Sequence, residues 1–130
     1  MATFAYTILY VKNVAQSISF YEKTFGLNKK FITPDNSYGE VASGETTLSF
    51  ASLELAASNL KGGFVHSDID KQAFGIEIGF TTNDVQETID KAIKNGAKLI
   101  EPPKTKPWGQ IVAYMRDIDG FLVEICTAMN

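Results

Sequence analysis

Two segments, NVAQSISFYEKTFG (13–26) and DVQETIDKAIKNG (84–96), decide the fold of this chain. Each predicts an amphipathic helix, because apolar residues recur in it at spacings of three and four. In the first segment these residues are Val14, Ile18, Tyr21 and Phe25, and in the second they are Val85, Ile89, Ala92 and Ile93. Asn13 is a suitable N-cap for the first helix and Asn83 or Asp84 for the second, while Gly26 and Asn95-Gly96 are suitable ends.

The two helices belong to an internal repeat. Val14 and Ile18 recur 71 residues later as Val85 and Ile89, and Gly26 recurs 70 residues later as Gly96. Runs of β-branched and aromatic residues predict one strand before each helix and three after it. The predicted strands are 4–11, 27–33, 37–43, 46–52, 76–81, 97–101, 110–116 and 121–126, with Pro102-Pro103 ending the sixth. The order strand–helix–strand–strand–strand therefore occurs twice, which favours duplication.

The stretch 53–72 lacks clean periodicity and contains Gly62-Gly63. It is interpreted mainly as a linker or flexible crossover loop, with room for one helical turn near its start. The chain is thus predicted to be a single α+β domain, 1–130, with modules at about 1–52 and 73–130 joined by this linker.

Composition restricts the chemistry. With 130 residues and 45% hydrophobic residues, the chain can bury a core without metals or disulfides. It contains one cysteine, Cys126, and one histidine, His66, so one chain cannot build an all Cys/His zinc site or a site of two histidines and a carboxylate. Any bound metal would need mostly oxygen ligands or ligands from a second chain.

The charge and hydropathy patterns argue against nucleic acid and membranes as partners. A net charge of −3 without a clustered basic patch argues against nucleic-acid binding. No apolar run approaches the length of a membrane helix, and no basic segment precedes the apolar N-terminal stretch as in a signal peptide. The expectation is therefore a cytoplasmic protein that binds neither nucleic acid nor membrane.

Strand alternation places polar residues on the face opposite the helices. Ile76, Ile78 and Phe80 should pack on a helix, as should Leu48 with Phe50, and Phe121 with Val123 and Ile125. The opposite faces then carry Ser49, Glu77 and Glu124. Two interpretations fit: these residues face water on one side of an antiparallel sheet, or they line a ligand-filled concavity.

The chain resembles the vicinal-oxygen-chelate superfamily, which includes glyoxalase I, bleomycin-resistance proteins, fosfomycin-resistance enzymes and extradiol dioxygenases. The resemblance covers essentially the whole chain. Its firmest motifs are YTILYVKNV (6–14), FYEKTFGL (20–27), EIGFTTNDV (77–85), KPWGQ (106–110) and RDIDGFLVE (116–124). The last is similar to the family's "DPDG…E" hairpin, with Ile118 where proline is usual. The resemblance implies paired βαβββ modules whose sheets curl around a ligand cleft.

The resemblance also implies where metal ligands would stand. Metal-using members carry them on the first and last strands of each module, which here are the positions of Tyr6, Ser49, Glu77 and Glu124. Serine and a neutral phenol are poor ligands, so nickel, zinc and ferrous iron are disfavoured. Glu77 and Glu124 would suffice only for a weakly held divalent ion such as Mg²⁺ or Mn²⁺. No metal or other cofactor is expected.

Aromatic residues complete the candidate site. Tyr114 stands ten residues before Glu124, the spacing of a catalytic tyrosine in the dioxygenases, and is interpreted either in that role or as a lining residue. Gln110 is expected on the same strand face. Trp108, between Pro107 and Gly109, is predicted either to stack on a ligand or to anchor a dimer.

Three functions fit this sequence. The first is a metal-free binding protein of the bleomycin-resistance type, which would trap a small aromatic or cationic ligand. Its cleft would be lined by Tyr6, Tyr10, Tyr114, Trp108, Glu77 and Glu124, with Ser49 and Gln110 as further ligand-binding residues. The second is a lyase, isomerase or epimerase that uses Glu77 or Glu124 as a general base, with or without a divalent metal. The third is a structural or partner-binding dimer with a vestigial cleft. Members of the first type are commonly homodimers, which makes a homodimer the expectation here.

Overall fold

The fold was derived from a computed structural model that describes residues 1–129. It is an α+β fold with two four-stranded mixed sheets, as predicted. The chain divides into two compact units, one ending at His66 and the other beginning at Ser67.

The first unit contains four strands and two helices. Its elements are β1 (Thr7–Val11), α1 (Val14–Phe25), β2 (Asn28–Ile32), β3 (Tyr38–Ser43), β4 (Thr46–Ser52) and α2 (Leu53–Asn59). The sheet order is β1-β4-β3-β2, with β1 parallel to β4 and the remaining neighbours antiparallel. The helix α2 replaces part of the predicted linker and is capped by the Ser52 hydroxyl, which accepts from the Leu55 amide at 3.1 Å.

The second unit repeats this order, and no helix follows its last strand in the residues described, which end at 129. Its elements are β5 (Glu77–Thr81), α3 (Val85–Lys94), β6 (Lys98–Thr105), β7 (Ile111–Arg116) and β8 (Leu122–Cys126). The sheet order β5-β8-β7-β6 matches that of the first unit, again with only the first pair parallel. The duplicated order predicted from the helix repeat is therefore confirmed.

Both predicted amphipathic helices are present with the expected ends. The Asn13 side chain accepts from the Gln16 amide at 3.0 Å, and the Asp84 side chain accepts from the Glu87 amide at the same distance. Gly26 ends α1 in the left-handed conformation at φ 71°, which glycine adopts without strain. The apolar stripe is buried at Val14 and Ile18 in α1 and at their counterparts Val85 and Ile89 in α3. Ile93, which was also predicted in the stripe of α3, is instead 47% exposed.

Seven of the eight strands differ from the predicted limits by at least one residue, and three of these differences affect residues discussed above. The first strand begins at Thr7, and Phe4 before it is 87% exposed. Ile76 lies outside β5 and is largely exposed, so the apolar face of that strand begins at Ile78. The pair Pro102-Pro103 does not end the sixth strand, because β6 continues to Thr105. It is an edge strand whose pairing register shifts across the prolines, where missing amide donors are tolerated.

The β7–β8 turn holds part of the predicted linker in place. Arg116 is 7% exposed and donates from Nη1 to the Lys71 carbonyl at 2.7 Å and from Nη2 to the Asp68 carbonyl at 2.8 Å. Its Nε donates to the Gly120 carbonyl. A Cβ atom at Gly120 would lie 2.5 Å from the Ile69 amide nitrogen, so only glycine permits this approach. The segment beside Asp68 is therefore fixed to the turn.

No helix within residues 1–129 is long and apolar enough to span a membrane; the longest has 12 residues.

The contribution of the close contact at Gly120 to stability can be measured by comparing alanine substitutions at two glycines. Gly120 and Gly109 have nearly the same positive φ, 90° and 92°, but nothing lies within 4 Å of a Cβ at Gly109. Gly109→Ala should cost on the order of 1 kcal/mol through backbone strain alone. Gly120→Ala should lower the melting temperature by several degrees more, because the segment at Asp68 must also move. Equal losses in a thermal denaturation experiment would contradict the described contact.

Candidate functional site

The β5–β8 sheet separates its apolar and polar residues by face. Ile78 and Phe80 alternate with Glu77 and Gly79 on β5, while the fully buried Val123 and Ile125 alternate with Glu124 on β8. Pairing sets Gly79 beside Glu124 and Tyr114 on its other side, so their side-chain positions share one face. The carboxylates therefore project away from the apolar face, as predicted from alternation.

Glu124 is the centre of this polar face. The Tyr114 hydroxyl donates to Glu124 Oε2 at 3.0 Å, and Cys126 Sγ lies 3.5 Å from Oε1, within range of a thiol hydrogen bond. Gly79 presents no side chain here; a Cβ added to it would lie 3.6 Å from Oε1. Both oxygens of Glu124 are thus oriented by neighbouring groups, and the half-buried carboxylate is held in one position.

Tyr114 acts as a donor in this pair. The hydrogen bond to Glu124, together with burial and the negative charges nearby, raises the pKa of Tyr114 to about 12. The phenol is therefore protonated at neutral pH, the form in which it donates to Glu124. Its geometry suits orientation of Glu124 and contact with a ligand, which are the lining functions considered above.

Glu77 adds a second carboxylate on the same face. Burial raises the pKa of Glu77, and the charge of Glu124 raises it further. A charge that raises the pKa of a carboxyl in this way indicates that the two groups lie near each other. The side chain of Glu77 is nevertheless exposed, so its charge is available to a ligand.

A series of neighbouring side chains joins Trp108 to the carboxylates. The Trp108 indole Nε1 donates to Gln110 Oε1 at 2.8 Å, and Gln110 Nε2 donates to the Thr127 carbonyl at 2.9 Å. Burial raises the pKa of the Cys126 thiol, Glu124 raises it further, and the Gln110 side chain lowers it. Gln110 therefore lies beside both Trp108 and Cys126. Trp108 is 63% exposed, yet its ring is oriented by this hydrogen bond.

The donor set of this face does not fit a metal bound through imidazoles. His66 is in the other unit, where its ring lies 5.0 Å from that of Phe64. Within residues 1–129, no group of three or more His, Cys, Asp or Glu side chains is arranged to hold a metal ion. The oxygens of Glu124 already accept from, or lie beside, Tyr114 and Cys126, and the charge of Glu124 acts on Glu77 as the neighbouring carboxyl.

The first unit has its own polar cluster, which the sequence analysis missed. The Tyr38 hydroxyl donates to Glu40 Oε2 at 2.6 Å, and Lys30 Nζ lies 3.4 Å from Glu40 Oε1. Burial raises the pKa of Tyr38, and the bond to Glu40 adds to that rise. The signal that could have revealed it is the spacing of two between Tyr38 and Glu40 on β3, because alternate residues share a face.

Ser49 pairs with Glu40 in the sheet but is completely buried. Within the described chain its hydroxyl has no hydrogen bond of good geometry, although it is near enough to Tyr38 to lower the pKa of that phenol. Tyr6 precedes β1, is 48% exposed, and interacts electrostatically with Tyr38. Tyr10 packs its ring against Phe64 with centroids 4.9 Å apart.

The predicted site residues therefore fall into two groups. The structure brings together Glu77, Tyr114 and Glu124, and it connects Trp108 with Gln110. The remaining predicted residues, Tyr6, Tyr10 and Ser49, belong to the first unit, where Tyr6 and Ser49 are associated with Tyr38 and Tyr10 with Phe64. Cys126 is the group of the second unit that the sequence analysis counted but did not place in the site.

The influence of Glu124 on Glu77 predicts a pH-dependent effect of Glu77→Gln. A raised folded-state pKa means that ionised Glu77 destabilises the fold; this cost is absent below the unfolded pKa of about 4 and complete above the raised value. Because Glu77 is exposed, we expect the variant to raise the melting temperature at pH 7 by only about a degree. At pH 3.5 the two proteins should melt alike.

The control is Glu45→Gln, which removes an equal charge from the exposed turn between β3 and β4. It should shift melting equally little at both pH values. A lower melting temperature for Glu77→Gln at pH 7 would show that this carboxylate stabilises the fold instead.

Comparison with known proteins identifies a protein family and a relative that match nearly the whole chain. The family model of the glyoxalase-like domain matches residues 4–130. The uncharacterised protein YraH of Bacillus subtilis strain 168 is 29% identical over 119 residues, covering 90% of this chain and 91% of YraH.

Solved structures of other proteins have a similar fold over nearly the whole length of this chain. A glyoxalase-related enzyme from Fulvimarina pelagi has a TM-score of 0.80 at 18% identity, covering 98% of this chain and 89% of its own. A glyoxalase/bleomycin resistance protein/dioxygenase family enzyme from Burkholderia phytofirmans PsJN has a TM-score of 0.74 at 18% identity, covering 97% and 98%. With this fold, the duplicated motifs and the family match, the chain belongs to the glyoxalase-like domain family.

Proposed function

We propose that this protein binds small molecules that carry an aromatic ring system and a positive charge, without needing a metal. The observation that carries the proposal is the position of Glu124. Its carboxylate is oriented by the Tyr114 hydroxyl at 3.0 Å and interacts with the charge of the exposed Glu77. Two carboxylates on one open face attract a cation, and fixed geometry reduces the entropy lost on binding.

Trp108 supplies the aromatic contact in this proposal. Its indole is exposed, while its Nε1 donates to Gln110 at 2.8 Å and leaves the ring faces available for stacking. Tryptophan is the side chain that interacts most strongly with cations through its ring face. A flat cationic ligand would satisfy both the indole and the carboxylates, which corresponds to binding of the bleomycin-resistance type.

The proposal includes two further expectations for the protein in solution. No metal is required, because the Glu124 oxygens already have partners in the protein; Glu77 and Glu124 would hold Mg²⁺ or Mn²⁺ only weakly. A homodimer is expected, and each unit has an exposed apolar side chain of the kind that association buries, Phe4 in the first and Ile76 in the second.

A second candidate function is proton transfer by Glu77. Burial and the charge of Glu124 raise the pKa of this exposed carboxyl, and a carboxylate with a raised pKa is a better general base near neutral pH. This would correspond to a lyase, isomerase or epimerase that removes a proton next to a carbonyl. The two functions differ in the effect of Glu77→Gln: it would abolish turnover in an enzyme but only weaken binding in a sequestering protein.

The binding function is tested with a matched pair of dyes. Rhodamine 123 is a cationic tricyclic aromatic, and fluorescein methyl ester has the same ring framework with a negative charge. We expect rhodamine 123 to quench the fluorescence of Trp108, the single tryptophan, and to raise the melting temperature, while the fluorescein ester does neither. Glu124→Gln should weaken rhodamine 123 binding by roughly tenfold because a charged partner is lost.

Two controls make this experiment decisive. Glu45→Gln carries the same charge change in an exposed turn of the first unit and should bind as the native protein does. Elemental analysis of the purified protein should show no stoichiometric Ni, Zn or Fe. One such metal per chain, or equal binding of both dyes, would overturn the proposal.

A further inference from the structure

A cavity of about 500 Å³ is lined by residues of the antiparallel strands β6 and β7 and of the loop that follows β6. Its walls are the Pro102-Pro103 pair, Val112 and Tyr114, and its charged side chains are Glu101, Lys104 and Lys106. The volume is within the range of small-molecule sites. All of these residues belong to the second unit.

The proline pair explains why β6 and β7 leave a cavity at this point. The pairing register between β6 and β7 shifts from Glu101 to Lys104, across the two prolines. Proline has no amide hydrogen to donate to the neighbouring strand, so regular pairing is interrupted at this point. Such irregularities at sheet edges commonly redirect side chains next to functional sites.

The sheet register places this cavity beside the carboxylate face. Glu101 pairs with Tyr114, which pairs with Glu124; Lys104 pairs with Val112, which pairs with Cys126. Paired residues project to the same side of a sheet, so Lys104 shares the face that carries Glu124. Tyr114 belongs to both places, since it lines the cavity and donates to Glu124.

The two lysines are available to a ligand. In the part of the chain that the structure describes, neither Lys104 nor Lys106 is within ion-pair distance of a carboxylate, although Glu101 lines the same cavity. Lys104 is exposed and Lys106 half-buried. Two ammonium groups and one carboxylate give this cavity a positive balance, opposite to that of the face around Glu124.

We propose that the cavity is an oxyanion subsite, in which Lys104 and Lys106 bind a carboxylate or phosphate group of the same ligand whose cationic part lies at Glu77 and Glu124. This rests on the proposed binding function and specifies its ligand as amphoteric. Two strand spacings separate β6 from β8, so the two charges of the ligand lie roughly 10 Å apart. Lysine contributes here as a point charge that tolerates either kind of oxyanion.

The test compares two dyes that differ by one group. Rhodamine 110 carries a free carboxylate on the cationic ring system, and rhodamine 123 is its methyl ester. Fluorescence polarisation should show that the native protein binds rhodamine 110 more tightly than rhodamine 123, and that this preference decreases as salt is raised. Inorganic phosphate added as a competitor should weaken the binding of rhodamine 110 more than the binding of rhodamine 123.

Single-lysine variants assign the preference to the cavity. Lys104→Gln and Lys106→Gln should each weaken the binding of rhodamine 110 by roughly two- to fivefold. The binding of rhodamine 123 should be unchanged or slightly tighter. Lys94→Gln, an equal charge change near the end of α3, should alter neither dye.

The outcomes separate the two proposals. If both dyes bind equally and the lysine variants have no effect, the oxyanion subsite is wrong while the cation-binding function stands. If the variants weaken both dyes alike, the lysines act on the fold or the whole face, and the subsite is also wrong. If neither dye binds the native protein, both proposals fail.

Discussion

The alternation of side chains along β5 and β8 is the constraint on which the rest of the second unit depends. Val123 and Ile125 must be buried with the apolar residues of α3, so Glu124 between them must project to the opposite face. Parallel pairing of β5 with β8 then brings Glu77 to that same face. Two carboxylates are thereby brought together by the requirement to bury their neighbours.

Hydrogen bonding turns this arrangement into an organised site. A carboxylate on an open sheet face would otherwise be mobile, but Glu124 is held by the Tyr114 hydroxyl and lies beside the Cys126 thiol. Trp108 is similarly held by Gln110, although it lies in a loop. The candidate site combines fixed negative charge with an oriented exposed ring.

The sequence predicted the fold because its signals were periodic and repeated. Helix spacing at Val14 and Val85, together with strand alternation at Glu124, was sufficient for the order of elements and the polar face. The continuation of β6 through Pro102-Pro103 could not be predicted, since it depends on that strand lying at a sheet edge. The segment at Asp68 is held by hydrogen bonds from Arg116, which is nearly fifty residues away in the sequence. No local sequence pattern predicts such a contact.

The candidate site was predictable only in part for similar reasons. The proximity of Tyr114 and Glu124 follows from their pairing across two strands, a relation that the resemblance indicated. The cluster of Tyr38 and Glu40 was missed because it has no counterpart among the motifs that carried the resemblance. Complete burial of Ser49 could not be inferred from alternation, which gives the face of a residue but not what covers it.

The central claim is that ligand binds on the polar face of the second sheet. Backbone amide chemical shifts, measured by NMR while rhodamine 123 is added, test it most directly. The account predicts that the largest shifts occur at Gly79, Tyr114 and Glu124, with smaller ones at Trp108 and Gln110. Shifts confined to α1 and α3, or no shifts at saturating dye, would contradict it.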